Sequence, residues 1–134
     1  MISYRNDITP DAQLIADLYR AAPLIRPVDD VDRIRRMYEG SNLVITAWDE
    51  HLLVGISRSR SDFSHFSYLA DLAVRVSHQK QGIGKELIRL TQVEGGPNTT
   101  ILLLAAPAAE KYYPRLGFSQ ARQAWLLNGG ERLR

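Results

Sequence analysis

A short run with two glycines, Gln79-Lys80-Gln81-Gly82-Ile83-Gly84, has the residue types that suit a phosphate-bearing ligand. It follows an apolar run at residues 68–76 and leads into apolar residues at helical spacing, which predicts a strand, a loop and a helix. Glycine allows the backbone to turn and lets a ligand approach the main chain closely. The free N–H groups at the start of such a helix, with the positive end of its dipole, favour a phosphate group.

This loop differs from two common nucleotide-binding loops. A Walker A loop requires glycine where Gln79 stands and Ser or Thr where Glu86 stands. The dinucleotide fingerprint requires a third glycine at the position of Leu87, and no second β-α-β unit surrounds this strand. The sequence therefore argues against a nucleoside triphosphatase and against a Rossmann-type dehydrogenase.

The pattern Gln-x-x-Gly-x-Gly after a strand resembles the acetyl-CoA-binding motif of the GCN5-related N-acetyltransferases, the GNAT family. A second segment, Tyr112-Tyr113-Pro114-Arg115-Leu116-Gly117-Phe118, resembles the family's aromatic-Tyr-x-x-x-Gly-Phe segment and follows in the family's order. The resemblance is strongest over residues 68–118. It implies a GNAT-like α/β fold and transfer of an acetyl group from acetyl-CoA to a primary amine by direct attack.

The resemblance also implies where the coenzyme would lie. Its pantetheine arm would run along the strand before the loop, with an N–H near Val74 facing the thioester carbonyl, and its diphosphate would lie on the amides of residues 81–85. For Lys80 and Lys85, a solvated surface position is an equally good interpretation. The residues implied in coenzyme contact are Leu72, Ala73, Val74, Gln79, Lys80, Gln81, Gly82, Ile83, Gly84 and Lys85.

Two side chains are candidates for moving protons. Tyr113 matches the family's general acid, and a phenol with an ordinary pKa near 10 stays protonated at neutral pH; the alternative is a core aromatic packed beside Tyr112 and Phe118. Asp71 projects from the motif strand on the face opposite Leu72 and Val74, where a carboxylate could attract an ammonium or relay its proton through water. The alternatives for Asp71 are a cap for a backbone group and an ion pair with Arg58 or Arg60.

Two rival functions stay open, and one departure from the family favours the first of them. Family members often carry Asn seven residues before the tyrosine, but this chain has Ala106 there. A non-catalytic acyl-CoA sensor on the same fold is therefore an alternative. A small basic nucleic-acid-binding module is a second, although a solvated face is the better interpretation of Arg33, Arg35 and Arg36.

Composition sets broad limits. With 134 residues, a net charge of +2 and no cysteine, we expect one cytoplasmic domain over residues 1–134, without disulfides or a nucleic-acid or membrane partner. The three histidines lack metal-ligand spacing, so no metal site is expected. The sequence does not identify the acceptor, whether a small amine or a peptide. It also neither requires nor forbids a homodimer, which is common among relatives.

The apolar patterns predict a mixed sheet flanked by helices, with a parallel β-α-β crossover over residues 68–105. Thr9 and Pro10 are expected to begin the first helix, and Asp29 or Asp30 to cap the second. In the resembled family, the link between these helices, residues 23–28, helps to form the acceptor pocket. Strands are expected at residues 2–5, 43–48, 52–60, 65–76, 101–104, 116–119 and 124–127.

Overall fold

The computed structural model describes residues 1–134, and the chain divides into two compact units, residues 1–104 and residues 105–134. The first unit contains the sheet and the glycine loop, and the second contains the aromatic motif. None of the helices has both the length and the apolar character that crossing a membrane requires. A single domain over residues 1–134 stays a prediction.

The first unit is a five-stranded sheet with three α-helices. Its elements are β1 (Ile2–Arg5), α1 (Ala12–Ala21), α2 (Val31–Glu39), β2 (Leu43–Asp49), β3 (Leu52–Ser61), β4 (Phe66–Val74), α3 (Ile83–Gly95) and β5 (Thr100–Leu103), with a 3₁₀ turn at Val76–His78. The strand order is β1-β2-β3-β4-β5, and every neighbouring pair is antiparallel except β4 and β5. Because α3 connects that parallel pair, the predicted α/β fold with its crossover is confirmed.

The helix starts follow their capping residues. The Asp30 side chain accepts a hydrogen bond from the Arg33 N–H at 3.0 Å, which confirms one of the two predicted caps of α2. The prediction that Thr9 caps α1 was wrong, because Asp11 holds that place and accepts from the Gln13 N–H at 3.4 Å. A carboxylate at the N-cap also interacts favourably with the helix dipole, which moves the start beyond Pro10.

Two apolar clusters lie on the two faces of the sheet. Alternate strand residues point to opposite faces, so Val44 packs with α1 and α2 while its neighbours Leu43 and Ile45 pack with α3. Both clusters are built from buried side chains, so the sheet is covered by helices on each side. The buried residues that α1 contributes include Ile15, Leu18 and Tyr19.

Two strand predictions differ in detail from the structure. β4 is shorter than the predicted residues 65–76, because the chain turns into the 3₁₀ helix at Val76–His78. β5 spans Thr100–Leu103, one residue earlier than the predicted residues 101–104, and Ile101, Leu102 and Leu103 are only half-buried. The reason is that β5 is an edge strand of the sheet.

The second unit contains a 3₁₀ turn, Pro107–Ala109, and one short helix, α4 (Tyr112–Arg115). The strands predicted at residues 116–119 and 124–127 were wrong. The N–H groups of Leu116 and Phe118 both donate to the Tyr113 carbonyl, at 3.0 and 3.2 Å, so this backbone turns instead of extending. Farther on, the Trp125 side chain is 91% exposed, and no strand partner covers it.

Candidate functional site

The glycine loop joins the end of β4 to the start of α3. Gly82 is the N-cap residue of α3 and has a φ of +84°, in the left-handed region that favours glycine. Lys80 also has a positive φ, +64°. The sequence predicts that both glycines allow the backbone to turn. Gly84 lies inside the first turn of α3, so only Gly82 has this role.

The amides at the start of α3 are free of internal partners. The first bond of the helix runs from the Glu86 N–H to the Gly82 carbonyl at 3.0 Å. The N–H groups of residues 81–85 donate no hydrogen bond to any backbone or side-chain acceptor of the chain. A helix of 13 residues adds the positive end of its dipole at the same place. The loop therefore suits a phosphate or diphosphate group.

The other motif residues have distinct positions. The Gln79 side-chain Nε2 donates to the Val74 carbonyl at 3.0 Å, which ties the loop back to the end of β4. Lys80, Gln81 and Lys85 are exposed, whereas the Ile83 side chain is buried in the cluster beneath α3. Gln79 and Ile83 thus fix the loop, while the side chains of Lys80, Gln81 and Lys85 remain accessible to a ligand.

The strand before the loop has an open edge. β4 pairs with β5 only from Phe66 to Leu69, opposite residues 100–103, so residues 70–74 have no partner strand on that side. The register between β3 and β4 also skips Ala70, which marks a β-bulge where β5 ends. An extended chain such as a pantetheine arm can add to an unpaired strand edge through main-chain hydrogen bonds. Leu72, Ala73 and Val74 lie on this open stretch.

Asp71, the predicted base, lies within a buried hydrogen-bond cluster. Its carboxylate accepts from the Tyr19 hydroxyl at 2.7 Å, from Arg26 Nε at 2.6 Å and from Arg58 Nε at 2.7 Å. The Tyr19 and Tyr38 hydroxyl oxygens lie 2.5 Å apart, which extends the cluster to α2. Burial, with Tyr38 and Asp71 nearby, raises the pKa of Tyr19, so its phenol stays protonated and donates.

The charge state of Asp71 follows from these partners. Burial alone would raise its pKa, but the hydrogen bond and charge of Arg58, with Tyr19 and Arg26, outweigh burial and hold the pKa below its ordinary value. A carboxylate of lowered pKa with both oxygens bonded is a weak proton acceptor. The geometry supports the alternative interpretation of Asp71 as an ion-pair partner of Arg58; Arg60 instead donates to the Gly40 carbonyl.

An open cleft of about 390 Å³ lies beside this cluster. Its apolar lining includes Met37 and the half-exposed ring of Tyr68. No group of three or more His, Cys, Asp or Glu side chains is placed to hold a metal ion. We call this feature the arginine cleft after its charged lining residues, which are Arg26, Arg33, Arg58, Arg60 and Asp71.

Sequence reasoning missed most of the arginine cleft. The resemblance indicates that residues 23–28 help to form an acceptor pocket, and Arg26 and Pro27 of that link do line the cleft. Arg33 was interpreted as part of a solvated face. The alternation of Arg58 and Arg60 along β3 was a usable signal, because residues two apart in a strand point to the same face.

Tyr113 lies in α4 of the second unit. Its ring is half-buried and makes edge-to-face contacts with the rings of Tyr112 and Phe118, at centroid distances of 5.2 and 5.5 Å. Burial, with a smaller contribution from Tyr112, raises the pKa of Tyr113. The phenol therefore keeps its proton at neutral pH.

Ala106 caps the 3₁₀ turn before α4 through its carbonyl, which accepts from the Ala109 N–H at 2.8 Å.

Comparison with protein families gives one match that covers most of the chain. The model of an acetyltransferase (GNAT) domain matches residues 24–129. No curated protein matches the sequence.

Solved structures with the same fold include several acetyltransferases. A probable acetyltransferase of unknown function from meticillin-resistant Staphylococcus aureus is 22% identical, with a TM-score of 0.76 over 100% of this chain and 99% of its own. A GNAT-family acetyltransferase from Streptococcus pneumoniae is 19% identical, with a TM-score of 0.72 over 95% and 98%. An aminoglycoside N-acetyltransferase in complex with CoA is 15% identical, with a TM-score of 0.72 over 96% and 94%.

Proposed function

This chain belongs to the GNAT family of acetyltransferases, and we propose that it transfers an acetyl group from acetyl-CoA to a primary amine. The observation that carries the proposal is the set of unpartnered amides at residues 81–85, directly after a strand whose edge is open over residues 70–74. A diphosphate and an extended pantetheine arm need these two features side by side. The aminoglycoside acetyltransferase of similar fold was solved with CoA, which supports the choice of coenzyme.

We propose that the loop and the open strand edge together bind the coenzyme. The amides of Gln81, Gly82, Ile83, Gly84 and Lys85 would bind the diphosphate, with the Lys80 or Lys85 ammonium as a counter-charge. The main chain of Leu72, Ala73 and Val74 would bond the pantetheine arm. Gln79 would act indirectly, by holding the loop against the Val74 carbonyl.

The bound thioester would supply an activated acetyl carbon, and the neutral amine of the acceptor would attack it directly. An N–H near Val74 is our candidate for stabilising the oxyanion, and Tyr113 for protonating the departing thiolate as the carbon–sulfur bond breaks. The attacking nitrogen then loses a proton through water, which restores the Tyr113 phenol. Because both oxygens of Asp71 are already bonded, we assign the ammonium proton to water and give Asp71 the role of positioning Arg26 and Arg58.

Ligand-dependent thermal stability tests the coenzyme assignment. A ligand that binds only the folded state at 100 times its Kd adds about 2.7 kcal/mol of apparent stability. We expect acetyl-CoA and CoA to raise the melting temperature and ATP and NAD at equal concentration to leave it nearly unchanged. Equal shifts with all four ligands, or none with the CoA pair, would contradict the proposal.

Exchanging Tyr113 for Phe tests the acid assignment. Tyr113→Phe removes the hydroxyl and keeps the ring packing, so we expect kcat for amine acetylation to fall by about 100-fold or more, as for loss of a general acid. Tyr112→Phe on the same helix is the matched control and should retain activity. Unchanged turnover in Tyr113→Phe would remove the assignment.

The non-catalytic sensor is the second candidate, and Ala106 in place of the family's common Asn is what favours it. A sensor would show the same CoA-dependent stabilisation as an enzyme. Turnover with a panel of small amines, amino acids and peptides separates the two. Stabilisation by acetyl-CoA without acetylation of any amine in the panel would support the sensor.

A further inference from the structure

We propose that the arginine cleft selects an acceptor amine that carries an anionic group, either a carboxylate or a phosphate. This inference rests on the proposed acetyl transfer, since it names the class of acceptor for the same site. Its basis is the charge, the unused hydrogen-bond donors and the position of the cleft.

The cleft has a strong excess of positive charge. Four arginines and one aspartate line it, which gives a net charge of +3. The single carboxylate, Asp71, is already bonded to Arg26, Arg58 and Tyr19, and its side chain is fully buried. No free carboxylate therefore remains in the lining to receive a cationic group. Uncompensated like charges would repel a polycationic acceptor and attract an anionic one.

The cleft also has unused donors of the right kind. Arg33 makes no hydrogen bond and no ion pair through its side chain, whereas Arg35 and Arg36 on the same helix pair with acidic residues. Arg60 uses only Nη1, which donates to the Gly40 carbonyl at 3.0 Å. Guanidinium groups match carboxylate and phosphate oxygens in a two-point fork. Arg33 and Arg60 are therefore the anion-binding side chains.

The position of the cleft places this charge beside the open strand edge. Ala70 and Asp71 line the cleft, and Ala70 is also the bulge residue at which β4 loses its pairing with β5. The cleft volume of about 390 Å³ falls in the range of small-molecule sites. A small amine with its anionic group at Arg33 and Arg60 would therefore bind in the same cleft as Ala70, where the strand edge assigned to the pantetheine arm begins.

The same charge favours the reactive form of the acceptor. A like charge nearby disfavours an ammonium and lowers its pKa. The arginines thus raise the fraction of neutral amine without a dedicated base, which agrees with an Asp71 carboxylate that has no free oxygen.

Matched acceptor pairs test the proposal. We expect kcat/KM to be at least about tenfold higher for phosphoethanolamine than for ethanolamine, or for β-alanine than for β-alaninamide, the range of one charge-assisted hydrogen bond. A preference within either pair supports the proposal and identifies the anion. Arg33→Gln should lower kcat/KM for the preferred anionic acceptor about tenfold and lower that for its neutral partner much less, so that the ratio of the two falls. Arg36→Gln, on the same helix but outside the cleft, should leave both unchanged.

Calorimetric titration of the full chain with the same four amines, without acetyl-CoA, separates this inference from the proposed function. If no amine is acetylated but an anionic amine binds in an Arg33-dependent manner, the transfer proposal fails and the anion selectivity stands. Equal kcat/KM and equal affinity for the anionic and neutral partners would overturn the inference. So would a preference for spermidine, or an Arg33→Gln variant whose only change is a raised KM for acetyl-CoA.

Discussion

Asp71 is held by donors from three separate parts of the chain. Tyr19 belongs to α1, Arg26 to the link after α1, and Arg58 to β3, and all three donate to the same carboxylate. Arg26 also donates to the Ala70 carbonyl at 3.0 Å, so one guanidinium fastens the link to the bulge of β4. The carboxylate keeps two guanidinium groups together that would otherwise repel each other.

Replacing Asp71 with Asn should therefore be costly. Breaking a buried ion pair by removing one partner typically costs about 3–5 kcal/mol, and we expect about 3 kcal/mol because both arginines keep some access to solvent. Urea denaturation of Asp71→Asn at pH 7 measures this loss. Asp17→Asn is the control, since its pair with Arg20 is exposed and should contribute less than about 1 kcal/mol. Similar losses in the two variants would contradict the role of Asp71.

The stability difference between wild type and Asp71→Asn should also depend on pH, and the direction of this dependence follows from the pKa of Asp71. The folded-state pKa of Asp71 lies below its ordinary value, so its stabilisation is complete above the unfolded pKa of about 3.9 and is lost as pH falls through the folded-state pKa. The difference in unfolding free energy between wild type and Asp71→Asn should be constant from pH 7 to pH 5 and should shrink below about pH 4. A difference that grows on acidification would contradict this assignment.

Only part of this cluster was predictable from the sequence. Strand alternation was enough to propose Arg58 or Arg60 as a partner of Asp71, and the register of the antiparallel strands places Arg58 directly opposite it. Tyr19 and Arg26 lie 52 and 45 residues before Asp71, and no local pattern specifies that distance. Their approach depends on how the link between α1 and α2 folds back on the sheet.

At the scale of elements, α3 approaches β3 closely at Gly55. A Cβ atom at this position would lie 3.1 Å from Leu87 Cδ1, 3.2 Å from Ile83 Cγ2 and 3.3 Å from the Ala73 carbonyl oxygen. The two side chains belong to the core cluster beneath α3, and the carbonyl is main chain, so none of the three moves easily. Gly55 therefore sets the distance between the sheet and the helix that follows the glycine loop.

Gly55→Ala should destabilise the fold by about 1–3 kcal/mol, the usual cost of overpacking a core. Gly40→Ala is the matched control, because its Cβ would lie at ordinary distances of 3.6 and 3.7 Å from two carbonyls and its φ of −81° suits alanine. We expect the control to change stability by less than about 1 kcal/mol, in the stabilising direction. Chemical denaturation measures both, and an equally small effect of Gly55→Ala would show that the helix can move away.

Strands that have both an apolar sequence pattern and a neighbouring strand were predicted well. Segments that have only the apolar pattern were predicted wrongly. β2, β3 and β4 alternate or run apolar, and each also finds neighbouring strands. Residues 124–127 have the same apolar character, but Trp125, Leu126 and Leu127 are exposed and unpaired. A strand requires a partner, and the sequence of a segment does not state whether one is available.

For the whole molecule, coenzyme binding and global stability should be linked through Gly82. Gly82→Ala places a side chain at a φ of +84°, which costs about 1–2 kcal/mol for an ordinary residue and displaces the amides that follow. Gly130→Ala is matched, because Gly130 has a φ of +90° and both sites have open space for a Cβ. We expect both variants to melt below wild type in buffer alone.

Only Gly82→Ala should also lose part of the melting-temperature rise that acetyl-CoA produces. A tenfold weaker Kd removes about 1.4 kcal/mol of ligand-induced stabilisation at saturating coenzyme, whereas a purely conformational penalty leaves the rise intact. Thermal melts of the three proteins with and without acetyl-CoA separate the two effects. An undiminished rise in Gly82→Ala would mean that the coenzyme does not depend on the geometry of this loop.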